Sequence, residues 1–455
     1  MGGGYPPVVV NVVNQTFTPE VITFGVPLVI GTVTTDQAAA WAAAYPAHTR
    51  TLEVSPNNWK AAMAVLEMTS ADAHWKHLET IFAQKPAVRV TKVILARRLA
   101  PVAQVIRVTV GGAADGDYSI QIDDQDPLVY AAVAKTAAEI RTALLALLAG
   151  NTLVSSASQG AAAIDLTALD VGYSYTVTLA SPSDAMTQAV QVANVGIGED
   201  LDTIRAENAD WFDILETAHN TAAILETAKW CQGNPSHGWL DTNASAVKTN
   251  AAGNVAAKLV ALGYTECSLR YHHTGAELFS AALCGHVLAF QPGQVQVSWR
   301  HLIGITKKNY SAEPGVTTAF STNNVGYYDS YGNGSTLYNY VPSGSFIELE
   351  RNKHVIKAKC EYEIASGLQN SNITAYTDPE ANAAVEAWVT KGLNEYATDG
   401  GTGYIIRDTI VITGLPVDEQ SNANQQKLKL AGVNVSAFVR IGMNEVEANV
   451  YLAIT

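Results

Sequence analysis

The sequence predicts a multidomain protein of mixed α/β and α+β class. It has a mixed α/β inner domain, a small inserted α+β domain, and terminal strands that are either hidden in its own sheet or donated to neighbouring subunits. Three observations lead there. Between residues 211 and 290, short apolar runs alternate with helical periodicity, the rhythm of a partly parallel sheet covered by helices. From Pro101 to Gly198 the texture changes to alternating strands around one strong helix. The last twenty-odd residues read as two strands of period two, the second running to Thr455.

In chain order, residues 8–13 form a short strand after Gly and Pro with no local partner, and 24–31 a core strand. Ser55-Pro56 offers a capping oxygen and then proline at the first helical position, with Trp59, Met63 and Leu66 at helical spacing behind it. A helix from about Ala71 aligns Trp75, Leu78, Ile81 and Phe82 and stops at Pro86; 88–95 is a strand.

Strands at 105–110 and 118–122 flank a glycine-rich turn. A helix over 131–149 ends at Gly150, and strands at 153–156, 164–166 and 173–179 complete a β-β-α-β-β-β unit. Strands at 211–215, 238–240 and 267–271 then alternate with helices at 221–230, 251–262 (closed by Gly263) and 276–290. A Tyr-rich hairpin turns at Gly332-Asn333-Gly334. Helices at 346–364 and, after Asp378-Pro379, to Tyr396 carry Ile347, Val355, Ile356, Val385, Trp388 and Leu393 as apolar stripe positions; 404–413 is a strand.

In the terminal pattern Val433, Val435, Ala437, Val439 and Ile441 are apolar. After 442–445 the parity switches to Val446, Ala448, Val450, Leu452 and Ile454. An edge without helix, charge or cap invites pairing with another chain.

The chain of 455 residues has material for two or three buried cores. Charged residues are 15%, against about a quarter in ordinary domains, which suits equally a surface largely covered by other protein and an ordinary Ala- and Thr-rich globule. The net charge of −14 and the lack of basic runs argue against nucleic-acid binding. No stretch suits a membrane span, and the first residues lack a signal-peptide pattern. Cys231, Cys267, Cys284 and Cys360 follow no CxxC spacing and read as small buried hydrophobes.

Candidate chemistry is sparse. Cys267, His272, His273, Cys284 and His286 include metal-ligand types but have the wrong spacing for a zinc finger or ribbon. Asp115, Asp117, Asp123, Asp124 and Asp126 surround a glycine turn without the order of a calcium loop, and read as solvated turn carboxylates. Ser343 lacks a nucleophile-elbow pattern, and Gly304-Ile305-Thr306-Lys307 is no phosphate loop. Gly196-Ile197-Gly198 and the glycines at 400–403 read as turns or linkers without the following helix of a dinucleotide site. No catalytic, metal or cofactor residue is expected.

The order of several segments carries a resemblance. They are Ile81-Phe82-Ala83-Gln84-Lys85-Pro86 with the strand ending Leu95-Ala96-Arg97-Arg98, and Ala209-Asp210-Trp211-Phe212-Asp213-Ile214-Leu215 entering a helix. Leu262-Gly263-Tyr264 before Ser268-Leu269-Arg270-Tyr271-His272 is another, as is Pro292-Gly293-Gln294-Val295-Gln296-Val297-Ser298-Trp299 before Leu302-Ile303-Gly304-Ile305. In these the chain resembles contractile bacteriophage tail sheath proteins.

The resemblance implies a structural subunit, not an enzyme, assembled in the host cytoplasm into the virion tail. It polymerises around the tail tube as helically stacked hexameric rings and contracts to drive the tube through the host envelope. Implied partners are neighbouring sheath subunits, the tail tube protein, and baseplate and terminator proteins, with no nucleic acid and no membrane insertion. A bacteriocin or secretion-system sheath is the near alternative, and a hydrolase with an unrecognised site the distant one.

The expected divisions are an arm at 1–22, an α/β domain at 23–100 and 199–340, an inserted α+β domain at 101–198, and a C-terminal sheath-core domain at 341–455. The expected donated strands carry Val8, Val10, Val12 and Val13 at one end. At the other they carry Val446, Ala448, Val450, Leu452 and Ile454.

Overall fold

Strand β1 (Pro27–Thr32) sets the plan of the molecule: Val29 packs into one layer, Leu28 and Ile30 into the other. The computed structural model describes residues 24–86, 89–123, 125–169, 171–251, 253–290, 297–330, 334–370, 381–394, 411–413 and 434–436. These divide into two compact units, one within 24–351 and one from 352 onward.

After β1 come α1 (Thr35–Ala44), β2 (Thr51–Val54), α2 (Trp59–Val65), α3 (Ala73–Ala83) and β3 (Val93–Arg98). Thr34 and Gln37 form a capping box that starts α1. Ser55-Pro56 does not open a helix directly. Ser55 N–H and Oγ donate to Asn58 Oδ1 across a turn, and α2 begins at Trp59. Strand β3 runs three residues beyond the sequence-read strand, because parallel pairing with β1 extends from Ile94 to Arg98.

The chain then makes β4 (Val105–Val110), β5 (Gly116–Ile122), β6 (Leu128–Ala132), α4 (Ala137–Leu148), β7 (Val154–Gln159), β8 (Ala163–Ala168), β9 (Val177–Ala180) and β10 (Met186–Val192). β6 and β10 are additional to the sequence reading. The expected helix start at 131 is corrected: residues 128–132 pair with β5, and the helix opens at a Thr136–Glu139 capping box. Two sheets result, ordered β10-β4-β8-β7 and β6-β5-β9. Ile140, Leu144 and Leu148 of α4 share one hydrophobic cluster with Val108, Tyr118, Ile120 and Leu166. This cluster is made entirely by residues of the 105–192 region and their immediate flanks.

The chain returns through α5 (Ile197–Glu207), β11 (Asp213–Glu216), α6 (Thr221–Gly233), β12 (His237–Thr242), α7 (Val255–Leu262), β13 (Cys267–Tyr271), α8 (Phe279–Val287), α9 (Val316–Thr322), β14 (Gly326–Asp329) and β15 (Ser335–Leu337). Gly263, at φ +63°, closes α7 in the left-handed conformation. The large sheet has order β15-β14-β13-β12-β11-β1-β3-β2, parallel except at its two edge strands. One face buries Trp41, Met63, Leu78, Phe279 and Leu283 from α1, α2, α3 and α8. The other buries Leu201, Ile224, Leu259 and Phe320 from α5, α6, α7 and α9. Helices on both faces of a parallel sheet give a doubly wound α/β architecture.

Helix α10 (Ile347–Asn370) starts in the first unit and continues past the division. In the second unit it packs with α11 (Ala381–Asn394): a Cβ at Gly367 would lie 2.1 Å from the Trp388 ring, so only glycine permits the approach. Val355, Val385, Val389 and Leu393 are buried there. β16 (Val411–Thr413) pairs antiparallel with β17 (Asn434–Ser436), with Ile412 opposite Val435.

Candidate functional site

A doubly wound sheet offers its ligand crevice at the carboxyl ends of the strands, where strand order reverses. Here that place lies between β1 and its neighbours β3 and β11. It is filled. A Cβ at Gly31 would sit 2.1 Å from Thr217 Oγ1 and 3.0 Å from the His74 ring. Arg98 donates from Nε to Asp200 and from Nη1 to Glu216, both at 3.2 Å. Arg50 pairs through Nη2 with the same Asp200 carboxylate and donates from Nε to Arg97 O at 3.0 Å.

Asp200 also accepts the Leu99 N–H at 3.3 Å. The network therefore ties the segments entering and leaving the 105–192 region to the top of the sheet. Burial pushes the Glu216 carboxyl up to about 7, while Arg98 opposes the rise. Nearby, Glu207 accepts the N–H groups of Arg50 and Thr51 at 3.1 and 2.7 Å, covering part of the β2 edge.

The turn reading of Gly196-Ile197-Gly198 is corrected, since Gly196 is the N-cap of α5. Its N–H donates to Glu199 at 3.0 Å. Glu199 and Asp200 supply negative charge in the first turn, where a phosphate would otherwise sit.

A second buried network holds the first turn of α10. The Asp213 carboxylate accepts Trp239 Nε1–H at 2.6 Å and pairs with Arg351 Nη2 at 2.9 Å. Arg270 lies 4.7 Å and Arg351 5.5 Å from the Trp239 ring centroid. Glu348 accepts the Val297 N–H at 2.8 Å.

The sequence-named chemical groups do not converge. Cys267 packs with Leu240 and Val255, and Cys284 with Leu283 and Val287, on opposite faces of the sheet. Burial pushes both thiols up. His272 faces the carbonyls of Thr274 and Thr306 at 3.1 and 3.0 Å. Among the described residues no group of three His, Cys, Asp or Glu side chains is arranged to hold a metal.

Asp115 accepts the Ala134 N–H at 2.6 Å, and Asp123 the Thr176 N–H at 2.7 Å, so both clamp turns; Asp124 lies outside the described residues. Ser343 donates its N–H to Tyr264 O in a turn completed by Gly344 at φ +87°. Gly304-Ile305-Thr306-Lys307 borders an open cleft of about 490 Å³ lined by His301, Ile305, Thr306, Lys307 and Tyr328. Tyr328 Oη accepts the Leu302 N–H at 3.1 Å and lies 3.2 Å from His301 Nδ1. The Thr306 hydroxyl donates to Glu277 at 2.6 Å.

The nine residues expected to form donated strands, Val8, Val10, Val12, Val13, Val446, Ala448, Val450, Leu452 and Ile454, lie outside the described residues. Within the sequence-read hairpin, the described part of the first strand, 434–436, pairs with β16 of its own chain. Sequence reasoning missed both buried ion networks. Their ion pairs join residues 102 to 150 positions apart, and the only trace was arginine or aspartate at the end of an apolar run, as in Ala96-Arg97-Arg98.

No protein-family model and no curated protein matches the sequence. Solved structures do. A chain in the contracted-state sheath complex of an extracellular contractile injection system, PVC, is 9% identical with a TM-score of 0.51, over 99% of this chain and 98% of that one. The contracted helical sheath of the anti-feeding prophage matches at 9% identity and TM-score 0.46, over 98% and 99% of the two chains. A chain of the anti-feeding prophage baseplate matches at 8% and 0.42, over 57% of this chain and 73% of that one. The chain has the fold of a contractile-injection-system sheath protein.

Proposed function

We propose that the chain is the repeating structural subunit of a contractile sheath, which polymerises around a tube and shortens to drive that tube through a cell envelope. The observation that carries this reading is the end-to-end correspondence with the PVC sheath chain, 99% of one against 98% of the other. The filled switch point supports it, because an α/β enzyme would keep that crevice open. The scarcity of charge supports it too, since a polymer subunit covers much of its surface.

In this reading the machine is a contractile injection system in the broad sense, a phage tail being one form. Residues 101–198 form an inserted domain. The strands at 8–13 and 446–454 join sheets of neighbouring copies, so backbone hydrogen bonds hold the lattice while subunits rotate. The partners are neighbouring copies in hexameric rings, the tube protein, and baseplate and terminator proteins. The protein resides in the assembled particle.

Negative-stain microscopy of the purified chain tests this. Ribbed cylinders or stacked rings are expected from the full chain, and a folded monomer from a chain lacking 446–455. Cylinders from the truncated chain would refute strand donation. A full chain that stays monomeric in concentrated solution, with a hydrolase activity abolished by His301→Ala, would overturn the sheath reading.

A further inference from the structure

The protein guards the edges of its large sheet. β2 is four residues long, with Glu207 accepting the N–H of Thr51. β15 exchanges backbone hydrogen bonds with the 299–300 segment: Trp299 N–H donates to Thr336 O at 2.9 Å and Thr336 N–H to Arg300 O at 3.2 Å. Both devices keep an edge from recruiting another strand.

Among the described residues, the edge-strand backbones of the four-stranded sheet in the 105–192 region have no such cover. β10 carries seven residues and β7 six, and neither contains a charge or a proline. Past Met186 every residue of β10 is exposed, with Val190 at 59% and Val192 at 40%. Among the described residues, the backbone of 187–192 has no partner beyond β4 except the Gln191 amide on Ala189 O. The backbone of 155–159 has none beyond β8. One extra residue between Val190 and Val192 interrupts the ladder, leaving 186–190 regular.

The directions of the strands select the occupant. β10 is antiparallel to β4, β4 to β8 and β8 to β7, so the two edges of this sheet run in opposite directions. A second copy placed edge to edge in the same orientation therefore presents β7 antiparallel to β10, continuing the pattern of the sheet. A contact of one edge with the other is heterologous, so it propagates into a ring or helix. Pairing of β10 with itself would be two-fold symmetric and would close at two copies. Neither strand contains a charged residue; among the described residues, the one cation on them, Arg141 of α4, donates to Ser158 Oγ and to Gly160 O at the far end of β7 and has no like charge opposite it on β10.

We propose that β10 of one copy pairs antiparallel with β7 of the next, joining the 105–192 regions of adjacent copies into a continuous sheet. This contact is separate from any made by the chain termini and does not depend on them.

Cysteine cross-linking of the full-length protein tests it. One preparation carries Val190→Cys on β10, and two others carry Ser156→Cys or Ser158→Cys on β7. Val190 and Ser158 are exposed and Ser156 is half-buried; all three lie on the sheet face that carries Met186 and Val154, and the native chain controls for its own thiols. Mixing a β10 preparation with a β7 preparation under mild oxidation should give a disulfide-linked dimer at least tenfold above either preparation alone. A chain bearing one cysteine on each strand should give a ladder of multimers. No excess in the mixtures, or an equal dimer from Val190→Cys alone, would overturn the proposal. Microscopy of the same samples separates this outcome from the sheath reading: cylinders without the cross-link leave the sheath standing and remove only the β10–β7 contact.

Discussion

Replacing Arg351 by methionine probes the buried network that fixes the start of α10. The side chains of Arg351 and Asp213 are 4% and 0% exposed, and their N–O distance is 2.9 Å. Methionine fills similar apolar volume but leaves the Asp213 carboxylate buried, with the Trp239 N–H at 2.6 Å as a remaining donor. Breaking a buried pair from one side costs about 3–5 kcal/mol, most of it the uncompensated charge. At an unfolding entropy of about 2.1 cal/mol/K per residue, the 24–351 unit should lose about 4–7 °C in Tm. Urea unfolding followed by far-UV circular dichroism measures the free energy directly. Asp213→Asn combined with Arg351→Met removes both charges while keeping an acceptor for the indole. The double variant should therefore recover about 2 kcal/mol or more of the summed single losses. A single-variant loss below about 1 kcal/mol, or strict additivity of the two, would refute the claim that charge pairing holds this turn.

Two further changes test the packing and the buried titratable groups. Gly285→Ala would place a Cβ 2.3 Å from Ile81 O, where α8 meets backbone of α3. It should cost about 1–3 kcal/mol in thermal melts, and an unchanged Tm would show that the helices can separate freely. Burial holds the His77 imidazole down at about 3, so the unfolded chain binds its proton first as the pH falls below 6.5. Stability from His77 is thus present at neutral pH and lost on acidification, by about 2 kcal/mol between pH 7 and 5. His77→Asn should flatten that part of the stability profile by a similar amount; an identical slope would place the acid sensitivity elsewhere.

Local chemistry made the doubly wound sheet legible. β13 matches the sequence-read strand at both ends, since Cys267, Leu269 and Tyr271 alternate with Ser268 and Arg270 between Gly263 and a polar turn. α7 ends at the glycine its pattern requires. The errors fall where a tertiary partner decided the state. Residues 128–132 have Ala and Leu in common with the helix that follows, and only pairing with β5 makes them a strand. Residues 186–192 show weak alternation because both of their faces are exposed, so no burial pattern marks them.

The same reasoning explains why the filled switch point is not legible in the sequence. A motif is a local spacing. Arg50, Arg98, Asp200 and Glu216 meet only after the chain has left the sheet at Leu99, built another core, and returned through α5. Their meeting makes the return geometrically specific: Asp200 must reach two arginines and the Leu99 amide together. Moving α5 by one residue would turn Asp200 about 100° around the helix, leaving Arg98 only Glu216 and Arg50 without its carboxylate. The network thereby sets where the 105–192 region stands on the sheet, and so where the open strands β7 and β10 are presented.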